Sequence, residues 1–231
     1  MRFVVTAGPT REFLDPVRYL SNPSTGRMGF AVARAARRAG HDVTLVAGPV
    51  ALRTPRGVRR MDVTSAREML AAVLECLGAT APLKGPVALV MTAAVADWRP
   101  ASCAAEKLKK SQMDGTLRLV RNPDVLREVD AWARSRPASA ARLVRVGFAA
   151  ETGEPDGEAA RKCREKGLDL VVGNDVTAPG CGFGAVTNRV VFAFPDGSSR
   201  PLPMMSKDAV ARRIVSFCEL RLRQGRGALT H

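Results

Sequence analysis

Short apolar runs alternate with longer amphipathic stretches along most of the chain, and this alternation limits the possible folds more than any other feature. Strands are predicted at residues 2–7, 42–47, 58–63, 86–92, 143–148 and 168–173. Several of these runs are almost continuously apolar, as strands buried on both faces of a sheet must be. Strands that alternate with helices indicate an α/β fold, with a mostly parallel sheet between two layers of helices.

The predicted helices lie between these strands and have recognisable end signals. Glycine directly after a helix favours the left-handed backbone that ends it, and Asn followed by Pro is typical of a helix start. On these signals, helices are expected at Gly29 to Ala39, Ser65 to Leu77, 123–134 with Asn122 as the N-cap, and from about Ser206 onwards. Residues 189–194 and 199–202 flank the turn sequence Pro195-Asp196-Gly197-Ser198, which predicts an antiparallel hairpin at the sheet edge.

The chain is expected to form one domain over residues 1–231, a length that can bury a substantial core. Residues 97–116 are a long connection with little apolar periodicity. Long connections of this kind in compact domains are typical of flaps over active sites. A flexible flap is therefore predicted around 97–116.

The formal net charge of +14 indicates anionic partners, such as nucleic acid, acidic membranes or polyphosphate substrates. Only 5% of the residues are aromatic, which is few for stacking on bases, so no nucleic-acid partner is expected. The longest apolar run, Val87 to Ala96, is about half of the roughly 20 residues that span a bilayer. With no signal peptide apparent, a cytoplasmic protein without membrane contact is predicted.

Lysine is scarce among the 36 basic residues and is unevenly placed. It occurs only at positions 84, 107, 109, 110, 162, 166 and 207. Five of these positions fall in two short segments, Lys107 to Lys110 and Lys162 to Lys166. A compact, flexible ammonium group suits these segments better than the planar guanidinium of Arg, although chance explains the clusters as well.

The five cysteines are scattered without a C-x-x-C pair, and only two histidines are present. This pattern indicates neither a zinc site nor a disulfide framework. Cys163 and Cys181 have no histidine nearby in the sequence that could act as a base. Covalent catalysis by cysteine is therefore not expected.

Phosphate binding is suggested by one segment although the common phosphate motifs are absent. Neither G-x-G-x-x-G nor G-x-x-x-x-G-K-[ST] occurs. Ser24 to Gly29 lies just before the first long helix, where amides and hydroxyls bind phosphate favourably. A helix start with hydroxyl caps explains this segment equally well. Asp97 and Asn174 follow predicted strands and are expected at the same carboxyl edge of the sheet.

Eight collinear motifs over nearly the whole chain resemble phosphopantothenoylcysteine synthetase. They are Thr6 to Glu12, Asp15 to Asn22, Gly26 to Gly29, Ala93 to Asp97, Glu106 to Lys110, Asn122 to Asp124, Gly147 to Glu151, and Asn174-Asp175. The resemblance implies a Rossmann-like three-layer domain, a homodimer whose sites draw on both subunits, and a role in coenzyme A biosynthesis. It also implies a ligase that uses CTP and Mg²⁺ to activate 4′-phosphopantothenate as an acyl-cytidylate and then couples it to cysteine.

The resemblance further implies roles for individual residues. Asn22 is expected at the reacting carboxyl and Lys107 at the triphosphate, both as catalytic residues. Phosphopantothenate is expected to bind Gly8, Ser24, Gly26, Gly29, Ala93, Ala94, Asp97, Phe148 and Asn174. The nucleotide is expected to bind Met91, Thr92, Ala93, Asp97, Lys107, Pro123, Asp124, Val125, Leu126, Phe148, Lys162 and Lys166.

Some features depart from the family pattern or leave alternatives open. Trp98, Arg27 and Thr25 replace residues more common in the family, without removing a needed group. The flavin-dependent decarboxylase of many bacterial relatives is absent, so the chain is either a free-standing synthetase or half of a longer protein. ATP is an alternative to CTP. An NAD(P)-dependent reductase on the same fold and a basic nucleic-acid-binding domain are the alternative functions.

Overall fold

The computed structural model describes residues 1–78, 83–109, 115–151, 156–175 and 187–224. The strands are, in chain order, β1 (Arg2–Ala7), β2 (Arg11–Phe13), β3 (Tyr19–Ser21), β4 (Asp42–Ala47), β5 (Arg59–Asp62), β6 (Val87–Met91), β7 (Trp98–Pro100), β8 (Leu119–Arg121), β9 (Leu143–Glu151), β10 (Leu170–Asp175), β11 (Thr187–Asn188), β12 (Val190–Ala193), β13 (Ser199–Pro201) and β14 (Met205–Ser206). The helices are α1 (Arg27–Arg38), α2 (Ala66–Cys76), α3 (Val125–Arg134), α4 (Pro137–Ala140), α5 (Asp156–Glu165) and α6 (Lys207–Gln224).

Eight strands form the central sheet in the order β13-β12-β10-β9-β6-β1-β4-β5. The six strands from β10 to β5 are parallel, and β12 and β13 add an antiparallel hairpin at one edge. All six predicted strands and the predicted hairpin are present, so the mostly parallel α/β fold is confirmed. Of the described residues, none lies in a helix long and apolar enough to cross a membrane.

Helices cover both faces of the sheet because alternate strand residues point to opposite sides. Phe3 and Val5 of β1 pack in one core with α1 and α6, whereas Val4 packs in a second core with α2, α3 and α5. The result is a three-layer sandwich, as the sequence predicts.

The start of α3 differs from the prediction, because Asp124 and not Asn122 is the N-cap. The Asp124 carboxylate accepts hydrogen bonds from the backbone amides of Leu126 and Arg127 at 3.1 and 3.2 Å. Asn122 instead donates from Nδ2 to the carbonyl oxygen of Ala96 at 2.8 Å. Of the two polar residues around Pro123, only Asp124 reaches the free amides of the helix.

Three small antiparallel pairs, β2–β3, β7–β8 and β11–β14, were not predicted, because strands of two or three residues have no clear periodicity. β7 and β8 form the base of the predicted flap. The segment between them contacts the turn between β2 and β3, where the Ala104 amide donates to the carbonyl oxygen of Leu14 at 2.8 Å. Residues 110–114, including Lys110, lie outside the described residues, so a flexible flap over 97–116 remains a prediction.

The topology determines where a ligand can bind. From β1 the chain crosses to β4 on one side, whereas β6 lies on the other side of β1. Connections that leave in opposite directions open a crevice beyond the carboxyl ends of these strands, where open α/β sheets bind their ligands.

Candidate active site

A cleft of about 810 Å³ lies at this carboxyl edge of the sheet. Its walls come from the segments after β1 and β6, the start of α3, and the ends of β9 and β10. Lys162 of α5, Lys166 just after α5, and residues at β11 and the start of α6 complete the lining. Six of the eight sequence motifs therefore contribute residues to one cavity; Thr6 to Glu12 and the described residues of Glu106 to Lys110 do not.

The charge of the cleft is strongly positive. Two carboxylates, Asp97 and Asp124, are outnumbered by six basic side chains, namely Arg27, Arg121, Arg127, Lys162, Lys166 and Lys207. A cleft with one predominant charge and low-dielectric walls concentrates its field and attracts ligands of the opposite charge. The cleft therefore suits a ligand with several negative charges.

The start of α1 is open to an anion. Its N-cap, Gly26, has a φ of 75° and makes no side-chain capping bond, and the first turn holds no acidic residue. By contrast, the N-caps Ser65 and Asp124 accept bonds from amides of α2 and α3, while the short helix α4 also lacks a side-chain cap. Amides at a helix start need partners, and phosphate oxygens can supply them. Ser24 Oγ accepts from the Gly26 amide, at 3.4 Å, and not from the amides of the first turn of α1. Of the two interpretations of Ser24 to Gly29, this arrangement favours the phosphate cradle over hydroxyl caps.

Gly8 and Gly29 lie behind this cradle and do not line the cleft. A Cβ on Gly29 would lie 2.5 Å from the Cβ of Ala7 and 2.8 Å from the carbonyl oxygen of Thr6. Gly8 has a φ of 80° and supports Gly26, whose own Cβ would lie 3.3 Å from the Gly8 amide nitrogen. Gly29 allows close packing of α1 on β1, which brings the uncapped amides to the sheet edge, whereas a Cβ on Gly8 would meet Val50 and Gly48.

Asn22 connects the two loops that border the crevice. Its Nδ2 donates to the carbonyl oxygens of Ala94 and Val95, both at 3.2 Å. The loop after β6 is fixed from below by two fully buried threonines. Thr6 Oγ1 accepts from the Ala93 amide at 3.2 Å and Thr10 Oγ1 from the Ala96 amide at 3.0 Å. Asn22 thus lies on a loop pair with little freedom to move.

The opposite wall carries Lys162 of α5 and Lys166, the residue directly after that helix. Lys162 Nζ donates to the carbonyl oxygen of Phe148 at 2.7 Å, and Lys166 Nζ lies 2.8 Å from a carboxylate oxygen of Asp124. Partial burial disfavours the charged form of Asp124, but Lys166 and two backbone amides more than offset this and lower its pKa. Asp124 is therefore ionised and already paired with a cation.

The cleft lining includes most of the residues that the resemblance singles out. Those present are Asn22, Ser24, Gly26, Met91, Thr92, Ala93, Ala94, Asp97, Pro123, Asp124, Val125, Leu126, Phe148, Lys162, Lys166 and Asn174. Lys107 is exposed on the flap segment and does not line the cleft of its own chain.

Four polar residues of the lining were not singled out by the sequence: Arg121, Arg127, Asn188 and Lys207. The Arg121 guanidinium lies over the ring of Trp98, 5.2 Å from its centroid. Arg127 reaches the cleft because it lies in the first turn of α3. Asn188 and Lys207 belong to β11 and the start of α6, far from the motifs in sequence. For these four residues, the only indication of a role in the sequence is the isolated lysine at position 207 of a lysine-poor chain.

Two of the described cysteines, Cys163 and Cys218, are unsuited to nucleophilic chemistry. Cys163 and Cys218 are buried, and desolvation raises the pKa of Cys163 to about 12 and that of Cys218 further. Such thiols are protonated and inert. Cys181 lies outside the described residues. Within the described part of the chain, no three histidine, cysteine, aspartate or glutamate residues form a metal-binding group.

Asp15 anchors the flap segment to the body of the protein. Its buried carboxylate accepts from the amides of Val17 and Arg18 at 2.9 and 2.8 Å and forms an ion pair with the Arg18 guanidinium at 2.5 Å. It also accepts from the Leu108 amide at 3.2 Å, while Arg18 donates to the Leu108 carbonyl oxygen. The Arg18 guanidinium holds the pKa of Asp15 well below its usual value of 3.8.

This low pKa predicts sensitivity to acid. A carboxylate with a lower pKa in the folded state stabilises the protein fully above its unfolded pKa, and the stabilisation is lost as the pH falls toward the folded value. We expect the difference in unfolding free energy between wild type and Asp15→Asn to shrink steadily below about pH 4. Urea unfolding over a pH series measures this difference, and a constant difference between pH 7 and the acid limit would contradict the assignment.

Comparisons with known proteins support a family assignment. Residues 1–220 match the family described as the DNA/pantothenate metabolism flavoprotein C-terminal domain. The coenzyme A biosynthesis bifunctional protein CoaBC of Vibrio cholerae serotype O1 is 45% identical over 216 residues, which are 93% of this chain and 51% of that protein. The chain therefore spans about half the length of this curated relative.

Solved structures agree with this match. The crystal structure of the C-terminal domain of CoaBC aligns with a TM-score of 0.76 and 34% identity over 96% of both chains. A Cab2 mutant H337A in complex with phosphopantothenate-cysteine aligns with a TM-score of 0.76 over 97% of this chain and 87% of that one. At 17% identity the latter likeness shows the fold alone. The resemblance drawn from the eight motifs is thus confirmed, and the chain belongs to the family of the DNA/pantothenate metabolism flavoprotein C-terminal domain.

Proposed function

We propose that this chain is a ligase of coenzyme A biosynthesis that joins 4′-phosphopantothenate to L-cysteine with CTP, giving 4′-phospho-N-pantothenoylcysteine, CMP and pyrophosphate. The observation that carries the proposal is that one cleft contains two cationic regions. One is the uncapped start of α1 with Arg27, and the other is the pair Lys162 and Lys166. Two phosphate-bearing substrates require two such regions. The relative named for coenzyme A biosynthesis agrees with this assignment.

In the first step, the carboxylate of phosphopantothenate attacks the α-phosphorus of CTP, an O–P bond forms, and pyrophosphate leaves. The uncapped amides of Arg27 and Met28 hold the phosphate of phosphopantothenate, and Lys162 and Lys166 neutralise the triphosphate. Asn22 lies between these regions and orients the reacting carboxyl. Such a reaction depends on positioning and charge stabilisation and requires no protein nucleophile, which agrees with the inert buried thiols.

In the second step, the amine of cysteine attacks the acyl carbon, and CMP leaves with the oxygen that joined the two parts. An N–C bond replaces the O–C bond, and the proton of the amine passes to solvent. We expect Asn22, Ala93 and Ala94 to contact the acyl-cytidylate, because all three line the cleft and Asn22 donates to the carbonyl oxygen of Ala94. This arrangement keeps the acyl-cytidylate in place until the amine arrives.

The cleft suits Mg²⁺ held mainly by the substrate. Mg²⁺ commonly binds one or two protein carboxylates together with substrate phosphates. Asp124 is paired with Lys166 and caps α3, so Asp97 is the carboxylate that would hold the ion. When bound, Mg²⁺ neutralises charge on the leaving pyrophosphate.

A homodimer is part of the proposal. Exposed apolar side chains lie on β2–β3, on β7–β8 and beside them, namely Val17, Tyr19, Trp98, Leu117 and Leu119. A patch of this kind is typical of a surface that a partner covers. A second copy on this surface would bring the flap of one subunit toward the other. Lys107, which does not line its own cleft, would then serve the triphosphate of the partner subunit.

The proposal is tested by mixing the purified chain with CTP, Mg²⁺, phosphopantothenate and cysteine and following pyrophosphate. Release should require phosphopantothenate, and ATP should support it less well than CTP. If neither nucleotide gives release that depends on phosphopantothenate, the ligase assignment is wrong.

Lys162 and Lys166 give a narrower prediction. We expect Lys162→Gln and Lys166→Gln each to raise the KM for CTP by about 10- to 100-fold, because each variant loses a charge-assisted contact to phosphate. The KM for phosphopantothenate should change less than about threefold. Lys84→Gln, on an exposed position outside the cleft, is the matched control. If Lys162→Gln and Lys166→Gln both show unchanged steady-state kinetics for CTP, these lysines do not belong to the nucleotide site.

A further inference from the structure

The cleft has two sides that follow from the two faces of the sheet. Val146 of β9 and Val172 of β10 pack in the core beneath α1 and α6. Because strand side chains alternate, Phe148 and Asn174 point to this same face. The start of α1 belongs to this side, whereas α3, Lys162 and Lys166 belong to the other. The first side is therefore distinct from the proposed nucleotide side.

Asn188 lies on the first side and has an unsatisfied buried atom. It is 3% exposed and lines the cleft, and its Oδ1 has no hydrogen-bond partner among the described residues. Asn174 also lines the cleft, and its buried Oδ1 likewise has no hydrogen-bond partner among the described residues. A buried amide oxygen without a partner costs free energy. A ligand that presents hydroxyl or amide N–H donors would satisfy both oxygens.

The local fold places Lys207 in the same part of the cleft lining as Asn188. It begins α6 directly after β14, and β14 pairs with β11, where Asn188 lies opposite Met205. The ion pair between Arg34 and Asp208 fixes this end of α6 to α1. Lys207 is 7% exposed and lines the cleft. A buried lysine at a ligand-binding surface is typical of sites for anions.

We infer that Asn188 and Lys207 bind the phosphopantothenate half of the substrate pair. Lys207 neutralises the phosphoryl group held by the start of α1, and Asn188 Oδ1 accepts a hydrogen bond from the hydroxyl or amide N–H of the pantothenoyl chain. The inference rests on the proposed function for the identity of the ligand. The placement of both residues on the α1–α6 side, away from Lys162 and Lys166, assigns them to this substrate and not to CTP.

Calorimetry with two related ligands tests both contacts. Lys207→Gln should weaken binding of phosphopantothenate by about 10- to 100-fold while binding of pantothenate, which lacks the phosphate, changes less than about twofold. Asn188→Leu should weaken both ligands by about 5- to 10-fold, because both carry the same donors. Neither variant should alter CTP binding. Lys84→Gln is the control for charge, and Lys207→Arg should retain most of the phosphopantothenate affinity.

A purely structural role predicts a different pattern. Loss of stability would lower the melting temperature and reduce CTP and phosphopantothenate binding together, and Lys207→Arg would not separate them. Wild-type pyrophosphate release is measured in parallel. If release occurs and both variants bind phosphopantothenate as wild type does, the inference is wrong and the ligase stands. If the binding losses appear without release, the subsite stands and the ligase is wrong. If wild type does not bind phosphopantothenate, both are wrong.

Discussion

Asn22→Ala should lower kcat by about 100- to 1,000-fold while the protein stays folded. The Asn22 side chain is exposed, so its truncation removes little packing. It does remove both contacts to the Ala94 and Val95 carbonyl oxygens, which connect the loops on either side of the crevice. We propose that Asn22 also contacts the reacting carboxyl, so the substitution loses orientation and a direct contact at once.

Single-turnover measurement of pyrophosphate release reports the first step directly, and circular dichroism with thermal unfolding checks the fold. Thr54→Ala is a suitable control, because Thr54 is an exposed polar residue that does not line the cleft. Its rate should equal that of wild type. A normal rate in Asn22→Ala would remove Asn22 from the catalytic residues.

Gly29→Ala should lower the free energy of unfolding by about 3 kcal/mol, at the upper end of typical overpacking costs. The added Cβ would lie 2.5 Å from Ala7 Cβ, 2.6 Å from Thr92 Oγ1 and 2.8 Å from the Thr6 carbonyl oxygen. Two of these neighbours belong to β1 at the centre of the sheet, so α1 has to move outward. That movement also withdraws the uncapped amides of α1 from the cleft.

Gly85→Ala is the matched control, because a Cβ there meets no atom within 4 Å and its φ is not in the left-handed region. Its unfolding free energy should stay within about 0.5 kcal/mol of wild type. Urea denaturation of the three proteins measures the effect. Equal stability of Gly29→Ala and Gly85→Ala would show that α1 does not need the close approach to β1.

The main features of the fold could be predicted because its strands are buried on both faces and are rich in apolar residues. Val87 to Met91 is a clear example, with every residue buried. The β2–β3 and β7–β8 pairs could not be predicted, because strands of three residues are stabilised by their partners rather than by their own pattern. At Asn122 and Asp124, either residue type can cap a helix, and only the geometry decides between them.

The site was predictable where motifs lie at strand ends, because parallel strands bring their carboxyl ends to one edge. Asp97 and Asn174 are separated along the chain but line one cleft for this reason. Asn188 and Lys207 could not be predicted in this way, since they reach the cleft through the short β11–β14 pair. The position of Lys107 relative to the site could not be predicted either, because a residue that would serve a partner subunit cannot be located from one chain.

The central claim, activation of a carboxylate as an acyl-nucleotide, is tested most directly by isotope transfer. Phosphopantothenate labelled with ¹⁸O in its carboxylate is incubated with the chain, CTP, Mg²⁺ and cysteine, and the products are analysed by mass spectrometry. The carboxylate oxygen that attacks the α-phosphorus leaves with the nucleotide when the amine displaces it, so CMP should carry one ¹⁸O atom. Unlabelled CMP, or label in inorganic phosphate, would contradict the proposed reaction.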